Sequence, residues 1–506
     1  MIIEPEHLIK IEDVVSIADQ LEYVQFSERS LQIIRDSHQR LMAIQNRGEP
    51  VYGINTGYGI FANKSISSKD IQRLNRKLIL SHAVGIGEPL SERVVRAAMF
   101  IRVNTLSKGY SGVRPELIQT IIDMLNKGVT PVIPSKGSLG SSGDLCQLSH
   151  MALVISRDEI DDEKESGYAC FDNQKFSGKQ AMEKAGIERM ILSTKEGLAL
   201  NNGATFSTAL AALAIYEAKY LLRISEVATA LSMEALCARS GAMDARLHEA
   251  RGQVGQIEIA RELSDLVRGS TLIDSVDKVQ DAYSIRCAPQ VLGAVRDTIQ
   301  YVESVINREL NAATDNPLIF EPADAISGGN FHGEPIGMVM DFLSIALCEL
   351  GAISERRTFR ITDEKTNHGL PPMLVGDPLQ AGLNSGLMMP QYTAASLVLE
   401  NQTLATPSSI RSLPTSAGQE DHNANSMTAA RHAYEIIENL RQILAIEVYT
   451  ANRAIELRKQ TSNGMTGKGT TEIISKLEKI VPFISEDTLW GDEIKKVNRL
   501  ILEHTL

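Results

Sequence analysis

Residues 135–151, SKGSLGSSGDLCQLSHM, hold three glycines and five serines before the chain turns apolar. Glycine has no Cβ, so its amide nitrogen can approach a neighbouring carbonyl where another residue would clash. If the nitrogen of Gly143 attacks the carbonyl carbon of Ser141, a five-membered ring closes across Ser142. Loss of two waters, one of them carrying the Ser142 hydroxyl, leaves an exocyclic methylidene, a strong electrophile that no ordinary side chain supplies. This chemistry demands serine in the middle and glycine third, tolerates a small residue first, and needs a strained, water-poor backbone. Taken alone, Ser141-Ser142-Gly143-Asp144 reads first as an ordinary Ser/Gly turn.

Other chemistries fail on spacing. GYGIFA (57–62) fits GxGxxA but lacks the strand-turn-helix frame and the acidic partner of a dinucleotide site. SNGMTGKGTT (462–471) is no phosphate loop, because Ser462 replaces the leading glycine and Gly469 follows Lys468 where Ser or Thr is required. Ser141-Ser142 does not make GxSxG, so a nucleophile elbow is unsupported. None of the ten histidines forms HExxH or another metal spacing, and no metal is expected.

The elements that must position the serine-rich loop follow from periodicity. Helical patterns run over 28–47, 69–84, 91–108 and 115–127, with another near 179–186. VYGINTGYGIFAN (51–63) reads as a glycine-broken loop with room for a short strand, and the polar stretch 157–178 as a surface excursion or small hairpin. From about 203 long Ala- and Leu-rich helices take over, with further stretches at 287–310, 334–358, 387–405 and 425–457. Their uneven apolar stripes favour a packed multi-helix bundle over a two-stranded coil, and a bundle that pairs with copies of itself. The composition shift places a boundary near 200, giving an N-terminal α-rich lobe (1–200) with the loop and a long-helix region (201–506). The 506 residues carry a net charge of −12, which argues against nucleic acid or an anionic membrane as main partner. Five dispersed cysteines without a CxxC pair suggest reduced, buried thiols. The acidic start and the charges that break apolar stretches such as 207–222 make cytoplasmic the expected location.

GSLGSSGDLCQLSHMAL resembles the loop of the ammonia-lyases and aminomutases that carry a methylidene-imidazolone (MIO) group, whose usual triad is Ala-Ser-Gly. The likeness continues in family order through YGINTGYG (52–59), LSHAVGIGEPL (80–90), ALNNGAT (199–205), QDAYSIRCAPQ (280–290), SGGNFHGEP (327–335), LENQ (399–402) and PTSAGQEDH (414–422). It is most similar to the histidine ammonia-lyases. The resemblance implies a mainly α fold of the aromatic ammonia-lyase (aspartase/fumarase-like) type, with a long central helical bundle. It also implies a homotetramer with active sites shared between subunits, and MIO formed autocatalytically from Ser141-Ser142-Gly143.

By that resemblance Tyr52 is the base for the substrate's β-proton, a role that needs its pKa lowered by a positive or hydrogen-bonding neighbour. Arg286 would hold the substrate carboxylate through its planar fork, or else make a bundle salt bridge. Asn202 and Tyr283 match residues that support the electrophile's oxygen and the amine, Phe331 one stacked near the ring, and Gln280 a polar contact on the cofactor side. Asp144 matches the acid implicated in ring maturation, although it could equally cap the following helix. Ser81-His82 is similar to the histidine-selective pair: His82 would bond one imidazole nitrogen and Glu400 the other, against a structural His and a helix-surface Glu.

The implied reaction is release of ammonia from an aromatic L-amino acid, with L-histidine giving urocanate as first choice. The alternatives are a lyase for another aromatic or a modified histidine such as a thiol-histidine betaine, a 2,3-aminomutase, and a catalytically silent helical assembly protein. Four departures bear on substrate: Ser141 in place of alanine, Asn201 in an apolar place, Arg411 where an acid is typical, and the longer HNANSM segment (422–427).

Overall fold

Helices dominate the chain, as its periodicity predicts. The computed structural model describes residues 1–19, 22–461 and 463–506; Ser462, which opens the rejected SNGMTGKGTT run, lies outside them. Two units separate by internal packing. The first comprises Met1–Tyr216, Glu303–Asp341 and Pro407–Arg431, and the second Glu217–Val302, Phe342–Thr406 and His432–Leu506.

In the first unit, α1 (Ile71–His82) ends on the Ser81-His82 pair. Strand β1 (Ile86–Pro89) follows, then α2 (Glu92–Ser107), which starts where the Ser91 hydroxyl accepts from the Val94 amide at 3.4 Å. Strand β2 (Pro134–Lys136) runs antiparallel to β1 and pairs Ile86 with Lys136, tying the chain after His82 to the chain entering the serine-rich loop. Helix α3 (Leu145–Ile155) leaves that loop, and the six-residue α4 (Glu196–Asn201) ends at Asn202. The polar stretch at 157–178 contains a hairpin, Tyr168–Phe171 against Gln174–Ser177. Its turn residues Asp172 and Asn173 have φ of 49° and 58°, as a tight primed turn requires. Residues 51–63 hold no strand: a single 3-10 turn at Gly59–Phe61 and one bridge between Thr56 and Ser65 take its place.

The long helices are α5 (Thr205–Ala235), α6 (Ala288–Glu309), α7 (Glu334–Thr362), α8 (Met388–Leu404) and α9 (Ser426–Thr461). Ala209, Ala211, Ala212, Ala214 and Ala218 on α5 are all fully buried, so this helix is enclosed around its circumference rather than along one stripe. In the second unit the buried Glu447 carboxylate accepts from Arg357 Nη2 (2.8 Å), Ser232 Oγ (2.7 Å) and Ser354 Oγ (2.6 Å). That set offsets the desolvation of a charge placed inside a bundle. Among the described residues α7 is the one helix long and apolar enough to cross a membrane, and 72% of its most apolar window is buried inside the protein.

Candidate active site

The serine-rich loop is held by its backbone. Gly143 has φ +75°, and a Cβ there would lie 2.0 Å from the carbonyl carbon of Gly203. Only glycine allows the two chains to meet so closely. The contact carries two main-chain hydrogen bonds: Asp144 N–H donates to Gly203 O (2.9 Å), and Gly203 N–H donates to Ser142 O (3.3 Å). Asn202 Nδ2 donates to the same Ser142 carbonyl at 3.0 Å. Two donors therefore converge on the one carbonyl oxygen that ring closure would leave conjugated to the methylidene.

Asn202 is itself placed by buried charge. Lys195, in left-handed backbone at the start of α4, pairs with Asp315, and both side chains are fully buried. Arg102 on α2 donates to the carbonyl of Ala199 in α4. Burial pushes the Arg102 guanidinium down to about 10, opposed by the Asp315 charge. Burial also lowers the Lys195 ammonium, against the pull of Asp315.

Asp144 stands at the N-cap of α3, yet its carboxylate makes no capping bond. It accepts instead from Ser138 Oγ (2.8 Å), Ser207 Oγ (2.8 Å) and Ser207 N–H (2.8 Å). Complete burial raises its pKa, and these hydrogen bonds work in the opposite direction. The acid thus ties the loop to the first turn of α5.

Two cavities share Tyr52, Gly59, Ser142, Asn202 and Glu420. The larger, about 1000 Å³, also takes in His82, Tyr58, Phe61 and Leu78. The smaller, about 730 Å³, is lined by Ser141, Phe331, His332, Asp421 and His422 among others. The structure thus brings Tyr52, His82, Ser142, Asn202 and Phe331 to adjoining cavities within the first unit. His82 Nδ1 lies 2.9 Å from the carbonyl of Leu78 and 3.0 Å from Ser81 Oγ. A carbonyl only accepts, so Nδ1 carries the ring hydrogen and the neutral imidazole keeps Nε2 as an acceptor.

Tyr52 departs from the expectation of a lowered pKa. Burial raises it, the Glu420 charge raises it further, and only the Gly59 amide, 3.5 Å from the phenol oxygen, lowers it. Gln280, Tyr283, Arg286 and Glu400 belong to the second unit and line neither cavity. Arg286 stacks over the Tyr283 ring at 4.5 Å, and its buried Nε has no hydrogen-bond partner among the described residues. Glu400 is exposed on α8.

Sequence reasoning missed Glu420. Its carboxylate accepts from Ser142 Oγ (2.8 Å), Ser141 Oγ (3.0 Å) and Thr415 Oγ1 (3.2 Å). The PTSAGQEDH block that contains it was visible, but nothing local marks this acid over the neighbouring Asp421. Of the departures, Asn201 lines neither cavity and donates to Ser149 Oγ at 3.2 Å. Arg411 is exposed and lines neither cavity, so it adds no positive charge to their walls. The HNANSM segment is fastened by Asn423, which accepts from the Leu413 amide (3.0 Å), and by Asn425 N–H donating to Leu139 O in the serine-rich loop (2.7 Å).

Fold and site together define a lyase scaffold that acts on aromatic amino acids: residues 9–479 match the family model "Aromatic amino acid lyase", and the chain belongs to that family. Its relatives include histidine ammonia-lyase of Caldanaerobacter subterraneus subsp. tengcongensis, 46% identical over 489 residues that cover 96% of this chain and 93% of that protein. Among solved structures, Pantoea agglomerans phenylalanine aminomutase superposes with a TM-score of 0.93 at 31% identity, covering 99% of both chains. Histidine ammonia-lyase from Trypanosoma cruzi gives 0.89 at 35% identity, covering 99% of this chain and 93% of that one.

Proposed function

We propose that the protein is a histidine ammonia-lyase that converts L-histidine to urocanate and ammonia, using MIO formed from Ser141, Ser142 and Gly143. The observation that carries this reading is the pair of donors, Asn202 Nδ2 and Gly203 N–H, on the Ser142 carbonyl beside a positive-φ Gly143. That cradle fits the group, because it polarises the carbonyl conjugated to the methylidene and requires the glycine the ring chemistry requires. Once formed, MIO supplies an electrophilic carbon for the substrate's amine.

The chain's own residues do the rest. Asn202 Oδ1, buried without a partner among the described residues, is left to accept from the substrate ammonium. Glu420, beside Ser142, takes a proton from that ammonium, so that the nitrogen regains its lone pair. Tyr52 accepts the β-proton at its phenolate oxygen. Its buried setting disfavours that anion, and the Arg286 guanidinium of another copy would restore the balance. His82 Nε2 accepts from the substrate's ring N–H, a contact that a phenyl ring cannot make. Because Gln280, Tyr283, Arg286 and Glu400 line neither cavity, the reading includes a homotetramer in which these side chains reach a neighbouring subunit's site.

Incubation with histidine, a thiol-histidine betaine, tyrosine and phenylalanine tests it, with ammonia and the acrylate product measured separately. Urocanate with stoichiometric ammonia is expected from histidine. Turnover of another member without urocanate would refute the substrate, and a β-amino acid product without ammonia would make the protein an aminomutase.

A further inference from the structure

Ser141 has a chemistry of its own that cofactor formation does not consume. Ring closure and dehydration remove two oxygens, the Ser141 carbonyl oxygen and the Ser142 hydroxyl, while the Ser141 hydroxyl stays. In the structure the Glu420 carboxylate divides its partners: Oε1 accepts from Ser142 Oγ at 2.8 Å, and Oε2 accepts from Ser141 Oγ at 3.0 Å and Thr415 Oγ1 at 3.2 Å. Glu420 and Thr415 are fixed to one another by the main chain, Thr415 N–H donating to Glu420 O (2.8 Å) and Glu420 N–H to Thr415 O (3.2 Å). The turn between them passes through Ser416 and Ala417 at φ of 51° and 52°. Its backbone is set, so the remaining freedom of Glu420 lies in its side-chain torsions. Ser141 is only 6% exposed and stands with Glu420 in the wall of the smaller cavity.

We propose that Ser141 is a positioning residue that aims Glu420. Loss of the Ser142 hydroxyl strips Oε1 of its donor and leaves Oε2 with two. Those two donors hold the carboxylate plane, and Oε1 is left free and pointing at the β-carbon that bore the lost hydroxyl. The substrate's nitrogen must stand beside that carbon. Oε1 then takes one ammonium proton: the N–H bond breaks, its electron pair stays on nitrogen, and the proton bonds Oε1. Alanine at position 141 would leave Oε2 to Thr415 alone, at the longer of the two distances, and the carboxylate could turn. This inference rests on the ammonia-lyase reading above.

The test is a double-variant cycle of Ser141→Ala and Glu420→Gln, with the loop peptide weighed in every variant. Ring chemistry tolerates a small first residue, so the Ser141→Ala peptide is expected two waters light, like the wild type. Its kcat is expected to fall about tenfold, the worth of one hydrogen bond to a charged group, with KM changed less than about twofold. In the Glu420→Gln background Ser141→Ala is expected to lower kcat no further. An unchanged kcat in Ser141→Ala, an equal loss in both backgrounds, or a peptide of full mass in Ser141→Ala would each overturn the positioning role. A wild-type peptide of full mass, with no ammonia from any amino acid, would instead overturn the reading on which it rests.

Discussion

Replacing Gly143 by alanine perturbs the loop at one measurable point. The added Cβ would lie 2.0, 2.2 and 2.5 Å from the C, O and Cα atoms of Gly203, all backbone. Nothing there can swing aside, so the two segments must separate. Separation forfeits the bonds from Asp144 N–H to Gly203 O and from Gly203 N–H to Ser142 O, each worth about 1 kcal/mol. A non-glycine residue at φ +75° adds about 1 kcal/mol or more of backbone strain. The total is about 3–4 kcal/mol. Gly128 is a matched control, with φ +76° and no atom within 4 Å of a built Cβ. Gly128→Ala carries the strain alone, about 1 kcal/mol. Urea unfolding of both variants should therefore place the Gly143→Ala midpoint clearly below that of Gly128→Ala, and Gly143→Ala should also release no ammonia. Equal midpoints would refute the claim that Gly143 is chosen for its contact with Gly203.

Three further outcomes follow from the same geometry. Asn202→Ala removes the 3.0 Å donor to the Ser142 carbonyl and should lower kcat about 100-fold, as loss of one preorganised oxyanion donor does, measured as ammonia release under saturating substrate. Burial and the Glu420 charge raise the Tyr52 pKa, so its proton-accepting phenolate grows as pH rises; kcat/KM should climb through the alkaline range, and residual Tyr52→Phe activity should lose that slope. Lys195→Met strands the Asp315 carboxylate in a fully buried site and should cost about 3–5 kcal/mol, read as a lower urea midpoint.

Much of this was legible in the residues. Ser-Ser-Gly announces its chemistry because the ring is built from consecutive atoms, and helix ends such as Ser91 or the Pro115–Lys127 segment before Gly128 follow local capping rules. The short strands Ile86–Pro89 and Pro134–Lys136 were not, because each is too brief to show alternation and contains a proline or glycine. Glu420 was hidden for another reason: its partners Ser141 and Ser142 lie 279 and 278 residues away, and no local pattern reports a contact of that range. The first unit likewise collects three separate stretches of chain, ending with Pro407–Arg431, and the return of that last stretch is a property of packing. Tyr52 shows the limit from the other side: its residue type suits a base, but burial and a neighbouring carboxylate oppose the anion, and only the folded chain reveals them.

In the proposed chemistry this backbone makes its own electrophile from Ser141, Ser142 and Gly143. The most direct measurement is the mass of the proteolytic peptide spanning residues 137–157 from the purified wild-type protein. A peptide two waters lighter than its sequence, with both losses mapped by fragmentation to Ser141-Ser142-Gly143, is the predicted result. A peptide of full mass from a preparation that releases ammonia would show that the reaction does not use an electrophile made from these three residues.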